Sequence, residues 1–338
     1  MTNSVKAFCL KALALGAMAA WATVGAVQAA EVQPVLLYDI GGKFDKSFNE
    51  AAYVGAARFK EETGADFRDF EPSSETQYEQ ALKRFARRKA DLIVAVGVGY
   101  SVAVRNVASQ YPDVKFTVID AIIDLPNVQS ITFKENEGSF LVGMIAAMKS
   151  ESGTVGFIGG MDIPLIRRFE QGYREGIAYV RDDMTIIENY VGTTPSAWND
   201  PIKASEMARS QYARGADIIF SAAGPSGLGV IQAAKDSGKL AIGVDSNQNH
   251  VAPGSVLTSM LKRVDLAVYT AMKEVSEGAW QPGHRVMGLE AGGVDYAVDE
   301  HNQSLITEEM KTALEAARAA IISGEISVGD VAGSNSGH

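Results

Sequence analysis

Three aspartates stand where apolar runs end. Asp39 closes the run in LLYDIGG, Asp120 the run FTVID and Asp245 the run AIGVD. Gly97, Gly160 and Gly224 follow comparable runs. Carboxylates at strand ends beside glycine turns suit two kinds of chemistry. A facing pair can do acid–base work, as in glycoside hydrolysis. Alternatively, single carboxylates accept hydrogen bonds from the hydroxyl or ring N–H groups of a neutral ligand, each bond contributing about 1.5–3 kcal/mol. The stretch LLYDIGGKFDKSFNEAAYVGA adds a third candidate, a phosphate or dinucleotide site, because a glycine turn leads there into a helix start. Ser47 and Glu50 have the spacing of a capping box at that start. A phosphate site, however, wants a glycine nest with Lys or Arg and no carboxylate beside the anion. Here Asp39 and Asp45 flank the turn, and neither a Walker pattern nor G-x-G-x-x-G follows the first strand. GPSGLG (Gly224 to Gly229) has glycine spacing but no adjacent lysine.

The enzyme readings are poorly supplied. A glycosidase pair needs an apolar pocket to raise one acid, whereas Asp39, Asp120 and Asp245 read as low-pKa acceptors. DKSFNE is too sparse for the Asp-rich calcium site of a nucleoside hydrolase. His250, His284, His301 and His338 have no metal or triad spacing, and G-x-S-x-G does not occur. Neither a catalytic group, a metal nor a cofactor is therefore expected. Two aromatics fit a binding cleft instead: Phe48 at the first turn of a helix, and Trp198 in VGTTPSAWNDP. One flat ring on each side could sandwich a planar ligand, with stacking worth about 0.5–1.5 kcal/mol beyond area burial. On composition alone, Phe48 reads equally as a core residue of its helix and Trp198 as a surface cover. Lys262 alone reads as a solvated lysine.

The elements that would position these groups alternate. Short Val- and Ile-rich runs at Val35–Asp39, Leu92–Val96, Lys115–Asp120, Thr154–Ile158, Ile186–Val191, Ile218–Ala222 and Leu240–Val244 predict strands. Amphipathic stretches at Phe48–Thr63, Glu75–Arg88, Ser101–Gln110, Gly138–Lys149, Ile166–Val180, Pro201–Arg214 and Gly227–Asp236 predict helices between them. Asp200-Pro201 is a cap and first-turn pair for one of these helices. KRFARRKAD and RRFEQGYREG read as solvated faces, and EGSF (Glu137 to Phe140) as fold and hinge. The pattern is α/β with parallel sheets. DLIVAVGVGYS…KFTVIDA echoes DIIFSAAGPSG…LAIGVDS, which predicts two similar lobes. Ligands of such sheets sit at the carboxyl ends of the strands, so the three aspartates would line a cleft between the lobes.

Bulk properties set the location. Lys6 and Lys11, the apolar Ala12–Ala26 and the small residues of Val27-Gln28-Ala29 read as a cleaved secretory signal over residues 1–30. Cys9 precedes the apolar part, so it is not a lipid-attachment cysteine, and a chain from Glu31 is free of cysteine. Its charge is 29 − 41 = −12, since the signal removes two of the 31 basic residues and none of the 41 acidic ones. An acidic chain without basic clusters is a poor nucleic-acid binder. No later run approaches the ~18 apolar residues of a membrane span.

DIGGKFDKSFNEAAYVGA, FTVIDA, FKENEGSFLVGMIAA, GFIGGMDIPLIRRFEQGYREG, ADIIFSAAGPSGLGVIQAAK, AIGVDSNQ and VLTSMLKRVDLAVY occur in this order. Together they resemble the basic membrane protein (BMP) family of solute receptors of ABC importers, several of which bind purine nucleosides. The resemblance covers nearly all of the chain after the signal. It implies a type I periplasmic-binding-protein fold, two Rossmann-like lobes joined by three crossing strands. The expected division is 31–150 plus 257–292 in lobe I, 151–256 plus 293–330 in lobe II, and a disordered tail at 331–338. Crossings are expected near Lys134–Ser150, Val256–Leu261 and Gly292–Tyr296. The resemblance further implies that Phe48 stacks on a purine and that Trp198 takes the place of a Phe on its other face. Asp39 and Asn49 would face the base or its surroundings, and Asp120 would bond the base edge. Gly224, Asp245 and Lys262 would hold ribose hydroxyls. The implied function is a periplasmic, monomeric receptor that closes on a purine nucleoside or free base and delivers it to an ABC permease. A sensor that presents its ligand to a chemoreceptor or kinase needs the same cleft. The sequence departs from the family pattern in lacking a lipid-attachment cysteine, which implies a freely diffusing protein. It also has a bulkier Trp198 loop, which makes a free base as plausible as a nucleoside.

Overall fold

The computed structural model describes residues 32–330. The expected signal segment 1–30 and the tail 331–338 lie outside the described residues. The first part of the chain runs β1 (Pro34–Leu37), α1 (Phe48–Thr63), β2 (Arg68–Phe70), α2 (Tyr78–Arg87), β3 (Leu92–Val96), α3 (Ser101–Ala108), β4 (Phe116–Ile119), β5 (Val128–Phe133) and α4 (Glu135–Lys149). The pattern then repeats with β6 (Thr154–Met161), α5 (Pro164–Val180), β7 (Thr185–Gly192), α6 (Pro201–Ala213), β8 (Ile218–Ala222), α7 (Gly227–Ser237), β9 (Leu240–Asp245) and β10 (Val256–Lys262). The chain ends in α8 (Val264–Ser276), β11 (Gly283–Met287), β12 (Val294–Tyr296) and α9 (Glu308–Ser323).

Two six-stranded sheets form, in the orders β2-β1-β3-β4-β5-β11 and β7-β6-β8-β9-β10-β12. All pairs are parallel except β10 with β12. Within each sheet the first five strands follow the same order, 2-1-3-4-5 counted within the lobe, so each reverses direction of winding beside its first strand. That switch point is where open parallel sheets leave a crevice at the carboxyl ends of their strands. The central strands are apolar on both faces because helices cover both: β1, β3 and β4 are buried throughout. One apolar cluster draws on both sheets, from Leu36 and Val94 to Phe157 and Phe220, and two others lie under α2–α3 and α6–α7.

The division of the chain differs from the expected one. Helix α4 was expected in the first lobe, but 13 of its residues are buried, from Glu135 to Ala147, and it lies against α5 of the second. Glycines explain the closeness. A Cβ on Gly172 would overlap the carbonyl of Asn136, and one on Gly176 that of Phe140. The segment RRFEQGYREG is therefore a helix-packing face rather than a solvated one, with Phe169, Gly172, Tyr173 and Gly176 buried. Strand β10 likewise belongs to the second sheet, whereas α8 returns to pack on α1, where Gly55 meets the backbone of Asp265. The chain thus crosses at Lys134, at the start of the expected Lys134–Ser150 range, at Arg263, just past the expected Val256–Leu261, and between Met287 and Val294, overlapping the expected Gly292–Tyr296. Hydrogen bonds tie these crossings side by side. Lys134 N donates to Met287 O (3.1 Å) and Arg263 N to Gly293 O (2.8 Å), while Gly293 N to Gly288 O (2.8 Å) closes a turn within the third crossing. Leu289 N donates to Glu137 Oε2 at 2.8 Å, which gives EGSF its place beside the crossings.

Gly176→Ala is expected to destabilise the protein by about 1–3 kcal/mol through overpacking. Thermal melting of the purified variant checks this, with a fall of roughly 2–4 °C per kcal/mol in a chain of this size. An unchanged melting point would show that α4 and α5 can separate without cost.

Candidate functional site

The carboxyl ends of the two sheets face one another across a cavity of about 70 Å³. That exceeds the roughly 10–15 Å³ one water needs, so the space has room for several heavy atoms. All eight residues singled out in the sequence line it: Asp39, Phe48, Asn49 and Asp120 from the first lobe, and Trp198, Gly224, Asp245 and Lys262 from the second. Phe169, Leu165 and Ile166 at the start of α5 line it too. The sequence reading passed over these three, although their spacing on one turn of GGMDIPLIRRF was the available signal.

The helix start at Ser47 is not capped as a capping box. Asp45 is the cap: its carboxylate accepts from Ser47 N (2.8 Å), Asn49 N (3.0 Å) and Glu50 N (3.0 Å). Asn49 N and Glu50 N at the α1 N-terminus are thereby taken by a carboxylate, whose charge disfavours the anion site that the glycine turn suggests. Ser47 Oγ instead crosses the cleft to Asp245 Oδ2 at 2.6 Å. Ser246 Oγ bonds Ser47 O (2.7 Å) and Gln248 Nε2 bonds Lys46 O (2.9 Å), so the lobes are closed and latched beside the cavity.

Three carboxylates share one arrangement. Asp39 Oδ1 accepts from Ile40 N at 2.8 Å and from the Tyr78 hydroxyl. Asp120 Oδ2 accepts from Lys262 Nζ at 2.7 Å, and Asp245 Oδ2 from Ser47. The second oxygen of each receives no donor from the described residues, and Asp120 Oδ1 is fully buried in that condition. Asp120 and Asp245 also share a backbone conformation, φ +67° and +65°, in the left-handed region that non-glycine residues seldom adopt. Asn49 lines the cavity with its amide occupied. Its Oδ1 accepts from Asp39 N (2.9 Å), and its Nδ2 donates to Asp39 O (3.1 Å) and Gly42 O (3.2 Å), so it shapes the Asp39 turn.

Lys262 is 2 % exposed. Its ammonium bonds Asp120 and lies 2.9 Å from Glu135 Oε1, among the rings of Phe48, Phe133 and Phe169 with centroids 5.3, 5.1 and 5.6 Å away. The reading of a solvated lysine does not hold. Burial lowers its pKa, but Asp120, Glu135 and Asp245 outweigh burial and hold it above the ordinary lysine value. The carboxylates are not the low-pKa acceptors expected. Burial pushes Asp39, Asp45 and Asp245 up to about 6, against partial relief from their hydrogen-bond donors and, at Asp245, from Lys262. Four carboxylates against one ammonium leave the lining three charges negative, 4 − 1 = 3.

Trp198 sits in a 3-10 turn (Pro195–Asn199) and lies flush on Gly160, where any Cβ would overlap its ring. Ser226 Oγ accepts from Asp200 N (2.7 Å) and donates to Ala197 O (2.8 Å), fixing that turn to the Gly224 loop. Asp200 caps α6 through Lys203 N at 3.0 Å, as its position before Pro201 predicted.

Comparison with known proteins places this cleft in company. The family described as ABC transporter substrate-binding protein PnrA-like matches residues 32–331. An uncharacterized lipoprotein of Pyrococcus abyssi is 36% identical over 285 residues, covering 80% of this chain and 70% of its own. Basic membrane protein A2 of Borrelia garinii is 32% identical over 299 residues, covering 86% of each. The crystal structure of an ABC-transporter solute-binding protein from Aeropyrum pernix K1 superposes with a TM-score of 0.82 at 30% identity, over 90% of this chain and 95% of that one.

The raised carboxyls set a pH dependence. Asp39, Asp45 and Asp245 keep protons up to about pH 6 when folded, whereas unfolded aspartates ionise near 4. The folded state binds more protons between these values, so these groups add stability as pH falls from about 7 towards 4.5. The ligand-free protein is expected to melt higher at pH 5 than at pH 7, and Asp245→Asn to narrow that gap. A melting point that falls monotonically over this range would contradict the burial of these groups.

Proposed function

We propose that this chain, which belongs to the PnrA-like family of ABC transporter substrate-binding proteins, captures a purine, as free base or nucleoside, by closure of its two lobes. The observation that carries this reading is the set of three carboxylates whose second oxygens lack protein donors, on a cleft bordered by Phe48 and Trp198. A ligand matching them is flat and offers several N–H or O–H donors. Asp120 Oδ1 would accept from the base edge, and Asp39 Oδ2 from a second ring N–H or amino group. Asp245 would take a further ring donor or a ribose hydroxyl, alongside an N–H of Lys262 not used by Asp120. The net negative lining disfavours phosphorylated ligands. Phe48 and Trp198 would supply the stacking faces.

In this mechanism the open protein admits the ring from solvent, and closure brings the Ser47–Asp245 bond and the crossings into the arrangement described. The permease would recognise the closed shape. The expected signal segment and the relatives' description as lipoproteins support a location outside the cytoplasm. Among the described residues no helix is long and apolar enough to cross a membrane.

The test is a melting panel on the chain from Glu31, refolded after removal of carried-over ligand. It spans purine bases, purine nucleosides, pyrimidine nucleosides, sugars and amino acids. Ligand at 100 times its dissociation constant adds about 2.7 kcal/mol, a rise of several degrees. A response to bases alone assigns the free base, and a response to nucleosides assigns Asp245 to ribose. A response confined to sugars or amino acids would refute the purine reading. In the same assay Trp198→Ala should weaken the responding purine by about 1–3 kcal/mol. Asp120→Ala should fold and bind poorly, and near-normal affinity would remove Asp120 from the base edge.

A further inference from the structure

Behind the cavity lies a row of buried charges that alternate in sign. Asp120 Oδ2 is 2.7 Å from Lys262 Nζ, Lys262 Nζ is 2.9 Å from Glu135 Oε1, and Glu135 Oε2 accepts from Arg168 Nε at 2.9 Å. Glu135 is fully buried, and Arg168 has only a fifth of its side chain exposed. Neither lines the cavity. Their places in the chain are telling. Glu135 directly follows the crossing at Lys134, Lys262 directly precedes the crossing at Arg263, and Arg168 stands on α5, the helix against which α4 is packed. A buried carboxylate and a buried guanidinium with no ligand to touch are costly to retain, which calls for a reason.

We propose that Glu135 and Arg168 are positioning residues for Asp120. Arg168 fixes Glu135, Glu135 holds the Lys262 ammonium at one oxygen of Asp120, and the other oxygen is thereby left without a donor and turned towards the cleft. The geometry supports each link. Lys262 Nζ donates to Asp120 Oδ2 and lies 2.9 Å from Glu135 Oε1 as an ion pair, whereas Asp245 is not within ion-pair distance, so the ammonium is not placed symmetrically between Asp120 and Asp245. The groups facing Asp120 are Lys262 from β10, Glu135 from α4, Arg168 from α5 and Asp39 from the end of β1, with Asp245 facing Lys262 from β9 and Asp330 near Arg168. Burial raises the Asp120 pKa, Lys262 and Arg168 lower it, and Glu135 raises it. The inference rests on the cleft being a binding site, not on the ligand being a purine.

The experiment therefore needs no ligand. In the ligand-free chain from Glu31, carrying carboxyl-13C aspartate, the Asp120 signal is assigned by its loss in Asp120→Asn and followed through a pH titration. Removing a negative neighbour by Glu135→Gln should move the Asp120 midpoint down by about one pH unit, and removing a positive one by Arg168→Gln should move it up. Arg168→Lys should restore the native midpoint. A merely structural pair would lower the melting point and leave the midpoint in place. Absence of movement in the Arg168 variants, or movement in the same direction for Glu135→Gln and Arg168→Gln, would overturn the proposal. If Glu135→Gln does not fold, the contrast between Arg168→Gln and Arg168→Lys still decides. Failure of the purine panel leaves this outcome unaffected.

Discussion

An ammonium group removed from water needs anions around it, and the arrangement of this molecule follows from how Lys262 finds them. Desolvation of such a cation costs several kcal/mol and is recovered only with close, well-oriented counter-charges. Lys262 stands at the end of a strand in the second lobe, Asp120 at the end of a strand in the first, and Glu135 at the start of the helix that follows the first crossing. The pairing thus requires both sheets to present their carboxyl ends to one another. It also gives the cleft an inner wall that is charged but internally balanced, so that the excess negative charge falls on Asp39, Asp45 and Asp245.

Repetition of one topology supplies the geometry. Each lobe orders its first five strands alike, so each brings a switch point to the same surface. Asp120 ends the fourth strand of one lobe and Asp245 the fourth strand of the other, and they share the same uncommon left-handed backbone. The lobes differ in what they add. The first contributes the Asp45-capped helix and Phe48, the second Trp198 on Gly160 and the lysine.

The strand ends were legible because buried parallel strands are short apolar runs, and the residues that end them stand out. That marked Asp39, Asp120 and Asp245 and placed most central strands and helices within a few residues, whereas Asn49, Gly224 and Lys262 entered as ligand contacts only through the family resemblance. What the sequence hid was hidden for physical reasons. β2 is three residues long and mostly exposed, and β11 has one buried residue, so neither shows an apolar pattern. β5, VQSITF, is buried but polar in part, because Gln129 bonds Glu274 and the Gln281 carbonyl, and Ser130 bonds Ile123 N. Ser47 fits a local cap by spacing and serves a residue 198 positions away, and local spacing carries no trace of that. Helix α4 reads as the end of a lobe in sequence because its allegiance to α5 is set by glycines in another segment.

The location of the ion pairs beside the crossings has a mechanical consequence. In a body that opens by rotation, displacement grows with distance from the pivot. Lys262 and Glu135 are each one residue from a crossing, whereas the Ser47–Asp245 contact joins separate loops of the two lobes. A rotation wide enough to part that contact shifts the innermost charges little. The Lys262–Glu135 pair can thus stay dry while the lobes part, and the Asp245 carboxylate is the charged group whose burial changes between the open and the closed arrangement.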